Sequence, residues 1–241
     1  MEHFDTVLIG SGYSSIGYAT ANGRTLIVEE QEIADTHFYL PLRSYRYTPY
    51  RPKTREGCEL DGIFRELSLF TDEGQNVNGF EPALCRYLEK HPLPMLLKCR
   101  VIETETEKAD VGYVLTLSTN EGLLQVSCSR VYDTRNTEKR SLTVLLIAKN
   151  PDDAARAAEL TGWELQDAFH PNWYALYVPY AGQNENDVKI TIHNQLAKID
   201  GVRLLSIAPI YAGKRTTILL SDDSYDNPIA AFEAGYFLGR G

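Results

Sequence analysis

The sequence is short of several things, and each shortage narrows its chemistry. No stretch reaches eighteen apolar residues, so no transmembrane helix is expected. The opening residues Met1-Glu2-His3-Phe4-Asp5 carry no basic region and no apolar run after it. A secretory leader is therefore not expected, and the reading is cytoplasmic. Cysteine is scarce: Cys58, Cys85, Cys99 and Cys128 are scattered without a CxxC pair. That argues against a disulfide framework, a redox dithiol and a zinc site, and no metal is read. HExxH, P-loop and GxSxG patterns are missing as well. Positive charge is in deficit, with 24 Lys and Arg against 33 Asp and Glu and a net charge of −9. Non-specific nucleic-acid binding is opposed as the main role. Low-complexity stretches are absent, and 43% hydrophobic with 24% charged residues is a globular composition. The 241 residues suit one or two domains.

What is present begins at the N-terminus. Thr6-Val7-Leu8-Ile9 reads as an apolar strand, followed at once by Gly10-Ser11-Gly12-Tyr13-Ser14-Ser15. A short helix over residues 16–22 ends at Gly23, and Thr25-Leu26-Ile27-Val28 forms a second strand closed by Glu29-Glu30. Strand, glycine turn, helix, strand and acid is the order of a dinucleotide-binding βαβ unit. Gly10 permits the tight turn, and Gly12 lets the backbone approach a pyrophosphate. The helix N-terminus offers N–H groups and a positive dipole end to that anion. An acid at the end of the second strand accepts hydrogen bonds from a ribose diol. Two departures are visible. Ser15 stands where a third glycine is usual, and the interval from Gly10 to Glu29 is slightly under the about twenty positions expected. The bland alternative is a glycine turn in an unrelated α/β protein.

Between Arg43 and Arg55 lie Arg46, Arg51 and Lys53 with no acid among them, interleaved with Tyr45, Tyr47 and Tyr50 and broken by Pro49 and Pro52. This basic, aromatic loop has three readings: a solvated loop with its tyrosines on the core, an anion-binding loop, or a stacking platform for single-stranded nucleic acid. The last is the least favoured. Leu60, Ile63, Phe64 and Leu67 give residues 59–70 a helical period. Pro82 suits a first helical turn leading into Ala83–Leu88, and Met95 to Ile102 reads as one strand. Tyr113–Ser118 and Leu123–Ser127 alternate around Asn120-Glu121-Gly122 as a hairpin, with another short strand at Arg130–Thr134.

Residues 141–215 change character. Leu142–Ala148 reads as a strand, Pro151 opens an alanine-rich helix, and Trp173–Val178 and Lys189–Ile192 are strand-like. Gln195–Ile199 reads as a short helix and Val202–Tyr211 as a strand. The chain ends with a strand at Thr217–Leu220, a polar turn from Ser221 to Asn227, and a helix from Pro228 to Leu238.

Taken together, these segments resemble the FAD-dependent oxidoreductases of the glutathione-reductase-like, two-dinucleotide-fold superfamily, of the group-2 type with a substrate domain. The match is carried by Val7-Leu8-Ile9-Gly10-Ser11-Gly12 with Leu26-Ile27-Val28-Glu29, by Phe80–Leu84 followed by Leu96–Val101, and by the meander into Val131-Tyr132-Asp133-Thr134. Leu220-Ser221-Asp222 through Asn227-Pro228-Ile229-Ala230-Ala231 is similar to the family's last flavin motif. Where the family has an aspartate-alanine-threonine-glycine turn, this chain reads Asp133-Thr134-Arg135-Asn136. Asparagine tolerates a left-handed backbone better than most residues, but Arg135 is not expected there. Ser221 stands for the usual glycine before the flavin aspartate, and Asp222 or Asp223 takes that role.

The resemblance implies an α/β fold, with a Rossmann-like FAD-binding domain and β-meander from residues 1–140 and 216–241. Residues 141–215 are then a small inserted α+β substrate or cap subdomain. It implies FAD contacts from Gly10, Ser11, Gly12, Tyr13, Ser14 and Ser15 at the pyrophosphate and from Glu29, with Glu30 beside it, at the adenosine ribose. It implies the Val101 backbone at adenine, and Asp222 with Asn227, Pro228 and Ile229 near the isoalloxazine. The activity implied is oxidoreduction of a small molecule, with Arg46 or Arg51 binding a carboxylate if the substrate is anionic. No catalytic residue is fixed; His37, His170 and His193 are candidate acid–base groups, each with an ordinary surface or core histidine as the alternative. Two further readings stay open: a non-catalytic nucleotide-binding or interaction protein on this fold, and a NAD-dependent enzyme. The small size of the 141–215 segment leaves a partner subunit or homo-oligomer completing the site, an exposed flavin, or a lost catalytic role.

Overall fold

The N-terminal apolar run forms β1 (Glu2–Ile9), whose last four residues are buried, as a strand covered on both faces requires. The computed structural model describes residues 1–34, 49–71, 74–75, 79–106, 112–135, 139–168, 171–179, 183–211, 225 and 227–241. Helix α1 (Tyr13–Ala21) starts earlier than its apolar pattern, because extended Gly12 already stands at the N-cap. Asn22, not Gly23, ends it, with its N–H donating to the Tyr18 carbonyl. β2 (Thr25–Val28) then pairs parallel to β1 with Thr6 opposite Thr25.

Helix α2 (Arg55–Glu66) is capped by the Thr54 hydroxyl, which accepts from the Gly57 N–H at 2.9 Å. A two-residue hairpin, β3 (Phe70–Thr71) and β4 (Gly74–Gln75), and helix α3 (Phe80–Lys90) follow. The strand expected over residues 95–102 is split into β5 (Met95–Leu96) and β6 (Arg100–Thr106). Lys98 between them has φ +51°, a turn conformation that no strand carries. Conversely, the hairpin arm and the short strand after it are one element. β7 (Tyr113–Thr119) returns as β8 (Gly122–Asp133), unbroken through Ser129. The early part of β8 pairs antiparallel with β7 and its later part parallel with β1, so the polar break in its alternation marks a change of neighbour. The sheet runs β5-β2-β1-β8-β7-β6.

A second sheet holds β9 (Lys139–Ala148), β10 (Glu164–Asp167), β11 (Trp173–Pro179) and β12 (Val202–Tyr211) in the antiparallel order β10-β11-β9-β12. Helix α4 (Pro151–Thr161) starts on Pro151 with Asn150 as its cap and stops at Gly162, φ +70°. Helix α5 (Glu185–Leu196) replaces the strand expected at Lys189–Ile192 and takes in the first two residues of the helix expected at Gln195–Ile199. The local alternation is real, but burial of Val188, Ile192 and Leu196 at helical spacing against the sheet decides the outcome. These join Leu142, Val144, Leu146 and Ala148, one face of β9, in a separate core. The chain closes in helix α6 (Pro228–Arg240).

The alternating residues of β1 and β2 feed two further cores. Leu8 and Ile27 face α1, α2, α3 and α6, whereas Val7, Leu26 and Val28 face the meander residues Leu115, Leu117, Val126 and Cys128. A helix-covered parallel core with a meander on its other face is the expected α/β, Rossmann-like fold. Among the described residues, no helix is long and apolar enough to cross a membrane.

Candidate functional site

Strands β2, β1 and β8 point their C-terminal ends the same way, and the chain leaves β1 toward β2 on one side while β8 lies on the other. That is a topological switch point, where open α/β sheets form their ligand crevice. Gly10 sits at this point with φ +113°. A β-carbon there would lie 2.7 Å from Thr134 Oγ1 and 3.0 Å from Arg135 Cγ, so glycine is required by both conformation and space. Gly12 has ordinary extended angles; it stands at the N-cap of α1 without a side chain to cap it.

The turn is bound from three directions. Gly10 N–H donates to the Val28 carbonyl at 2.8 Å. Thr134, just past β8, gives its N–H to the Ile9 carbonyl at 2.9 Å, and its hydroxyl also lies 3.0 Å from that oxygen. The same hydroxyl meets Ser15 Oγ at 2.9 Å. Ser15, which occupies the third-glycine position, is thus a fully buried but partnered serine. Glu29 supplies the third tie. Its carboxylate accepts from the Ser11 N–H at 2.9 Å, the Ser11 hydroxyl at 2.7 Å and the Gln31 N–H at 2.9 Å, while only 7% exposed.

The other expected residues take up defined places. Tyr13 turns its ring into the core against Phe64, with ring centroids 5.9 Å apart, so only its backbone belongs to the turn. Ser14 is buried with its carbonyl against α6. Glu30 is partly exposed and pairs with Arg135. Cys99 N–H donates to the Glu29 carbonyl at 2.9 Å, which brings the start of β6, and hence Val101, beside the end of β2. Asn227 caps α6, its Oδ1 accepting from the N–H of Ile229 at 2.8 Å and of Ala230 at 3.4 Å; Pro228 opens that helix.

Helices α1 and α6 run side by side in the same direction. A β-carbon on Gly17 would overlap the Phe232 carbonyl, one on Gly235 the Ser14 carbonyl, and one on Gly239 would lie 2.6 Å from the Tyr18 carbonyl. Gly17 meeting Phe232 and Gly235 meeting Ser14 set the first turns of α1 and α6 within about one helical turn, roughly 5 Å, of each other. Both helix N-termini therefore lie at the glycine-turn end.

Arg51 is exposed, and its neighbours are anchored to α6. The fully buried Glu233 accepts from Tyr50 Oη at 2.7 Å, from Lys53 N–H at 2.7 Å, and from the N–H and hydroxyl of Thr54 at 2.6 and 2.7 Å. Burial pushes the Glu233 carboxyl up, but these hydrogen bonds outweigh it and hold the group below the usual carboxylate value. Burial, then the bond to Glu233, push the Tyr50 phenol up, which keeps it a donor. His193 is an exposed side chain in the last turn of α5, not a loop or strand-end residue. His37, Arg46, His170, Asp222 and Asp223, with Asn136 and Ser221, lie outside the described residues.

The sequence reading missed the roles of Thr134, Arg135 and Glu233. Arg135 and Thr134 stood in plain view after β8, but nothing local tells which turn they meet. Glu233 is the readable one: a lone acid among the apolar and small residues of α6 is unusual in a buried helix.

No protein-family model matches the sequence, and no curated protein sequence matches it. Solved structures do share its fold. p-Nitrophenol 4-monooxygenase PnpA from Pseudomonas putida DLL-E4 superposes with a TM-score of 0.53 at 13% identity, over 88% of this chain and 69% of that one. OxyS anhydrotetracycline hydroxylase from Streptomyces rimosus gives 0.54 at 14% identity, over 98% and 62%. Aklavinone-11 hydroxylase, in a complex with FAD and aklavinone, gives 0.52 at 13% identity, over 87% and 53%. The chain thus spans from about half to two-thirds of the length of these proteins. What the chain shares with these monooxygenases and hydroxylases is the α/β fold; the likeness does not single out the glutathione-reductase-like group that the sequence resembles.

Proposed function

We propose that the chain binds FAD across the Gly10–Ser15 turn and is a flavin-dependent oxidoreductase of the hydroxylase architecture, acting on a small molecule. One observation carries this reading. The β1–Gly10–α1–β2–Glu29 unit is completed by β8 at the switch point, and α6 lies beside α1 with its N-terminus at the same end.

The residues present fit the cofactor in their backbone. Gly10 makes the tight turn where Thr134 and Arg135 leave no room for a β-carbon, and Gly12 to Ser15 present the start of α1 to a diphosphate. Glu29, already holding Ser11, sets the shape of that turn and stands at the ribose end. The start of β6 with Val101 borders the adenine side. Asn227, Pro228 and Ile229 begin α6 at the isoalloxazine end, with Asp222 as the acid before it. Bound flavin supplies the redox chemistry itself; the protein's part is position, exclusion of water and local charge.

Residues 141–215 are proposed as the substrate-facing unit, a four-stranded sheet backed by α4 and α5. Arg51 is proposed as a substrate-anion contact, because Glu233 fixes its segment to the helix that faces the flavin.

The test is direct. The purified chain should carry flavin absorbance, or quench the fluorescence of added FAD in a saturable way. A chain that neither retains nor takes up FAD removes the flavin reading; nicotinamide or adenine-nucleotide binding in its place would favour a NAD enzyme or a non-catalytic nucleotide binder.

A further inference from the structure

Acids flank the Gly10 turn. Glu29 and Glu30 follow β2, and Asp133 ends β8, so three carboxylates stand around a turn proposed to receive a diphosphate. Backbone N–H groups alone meet that anion poorly in such company. One cation is built into the same place. Arg135 packs against the Gly10 turn, with its Cγ and backbone N 3.0 and 3.4 Å from where a Gly10 β-carbon would be. Its side chain then spans the end of β1. Nε donates to Asp133 Oδ1 at 2.9 Å, Nη2 to Asp133 Oδ2 at 2.8 Å, and Nη1 to Glu30. Three of the five guanidinium N–H groups are thus given to carboxylates. Among the described residues, the next cation in the cluster is Arg100, whose Nε is 3.8 Å from Glu30.

We propose that Arg135 is the phosphate-binding cation of this site, held over the Gly10 turn by Glu30 and Asp133 and turned onto the diphosphate when a dinucleotide binds. The inference rests on the reading above only in placing a nucleotide diphosphate at this turn. The chemistry suits the role: a guanidinium fork matches two phosphate oxygens as it matches a carboxylate. The exchange is cheap, because the side chain is 34% exposed and an ion pair so solvated is weak. Asp133 keeps its grip through Nε, so the fork stays aimed while its Glu30 side is released.

The experiment titrates the full chain with FAD, ADP and adenosine at low and moderate salt. Wild type, Arg135→Ala, Arg135→Lys and Glu30→Gln are compared. Arg135→Ala should weaken FAD and ADP about tenfold or more, as expected for loss of a charge-assisted pair, and flatten their salt dependence. Adenosine, with no phosphate, should bind as before. Arg135→Lys should fall between, and Glu30→Gln should tighten ADP by about two- to fivefold, the worth of the exposed pair it removes. Unchanged or tighter ADP binding in Arg135→Ala overturns the proposal, and so does an equal loss for adenosine, which marks a structural role. The two readings fail separately. ADP bound through Arg135 without any FAD binding removes the flavin and keeps the arginine. FAD bound equally by wild type and Arg135→Ala removes the arginine and keeps the flavin. Neither ligand bound by wild type removes both.

Discussion

Glu29 takes both donors of Ser11, the backbone N–H at 2.9 Å and the hydroxyl at 2.7 Å. The acid at the end of β2 therefore shapes the glycine turn itself, in addition to any contact with a ribose. Its third acceptance, from Gln31 N–H at 2.9 Å, locks the carboxylate from the other side.

Replacing Glu29 with Gln keeps the volume but turns an NH2 toward donors. The cost should be about 1–3 kcal/mol of stability, the penalty for leaving buried donors unmet. Nucleotide affinity should fall with it. Urea unfolding and an FAD titration on the same sample check both; a variant as stable as wild type would show that the Ser11 bonds do not hold the turn.

Ser15 and Thr134 form a buried hydroxyl pair at 2.9 Å. Thr134→Val strands the Ser15 hydroxyl and should cost about 1–3 kcal/mol. Adding Ser15→Ala should return part of that loss, because a pair removed together leaves no buried orphan. A double-mutant cycle measures the coupling, and additive losses would refute it.

Helix glycines here divide by environment. A β-carbon on Gly62 in α2 would meet nothing within 4 Å, so Gly62→Ala should stabilise by about 0.5–1 kcal/mol through helix propensity. Gly17 and Gly235 meet backbone carbonyls of the facing helix, which do not move aside as a side chain would. Alanine there should destabilise by about 1–3 kcal/mol despite the same propensity gain. Thermal unfolding of the three single variants settles the sign.

Glu233 links α6 to the start of α2, and its carboxyl lies below the ordinary value of 4.5 in the folded chain. A lowered folded value means that the carboxylate's contribution is complete above about pH 4.5 and is lost as pH falls through the folded value. Glu233→Gln should be less stable by about 2 kcal/mol near neutrality, and the gap to wild type should narrow on acidification. Chemical denaturation at neutral and acid pH reads this; a constant gap would contradict an ionised Glu233.

The βαβ unit was legible because its signals are local: a strand, a glycine at positive φ, a helix and an acid follow one another within one short segment. Capping was legible for the same reason, at Pro151 and at Asn227 before Pro228. Reading failed where neighbours decide. Lys189–Ile192 alternates like a strand, yet its segment is helical because Val188, Ile192 and Leu196 meet a sheet. Residues 123–133 read as two strands because β8 changes partner midway.

By itself, then, the sequence determined the order of elements at the N-terminus, the α/β class and the candidate turn, since these follow from backbone conformation and short-range pattern. The tertiary structure alone decided who completes the turn. Thr134 reaches Ser15, Arg135 crosses Gly10 to Glu30, and Glu233 receives Tyr50 and Thr54, all across long chain separations. A serine, arginine or glutamate signals only that a partner is needed. Which partner it finds is set by strand order and helix packing, through the requirement that buried polar groups be met.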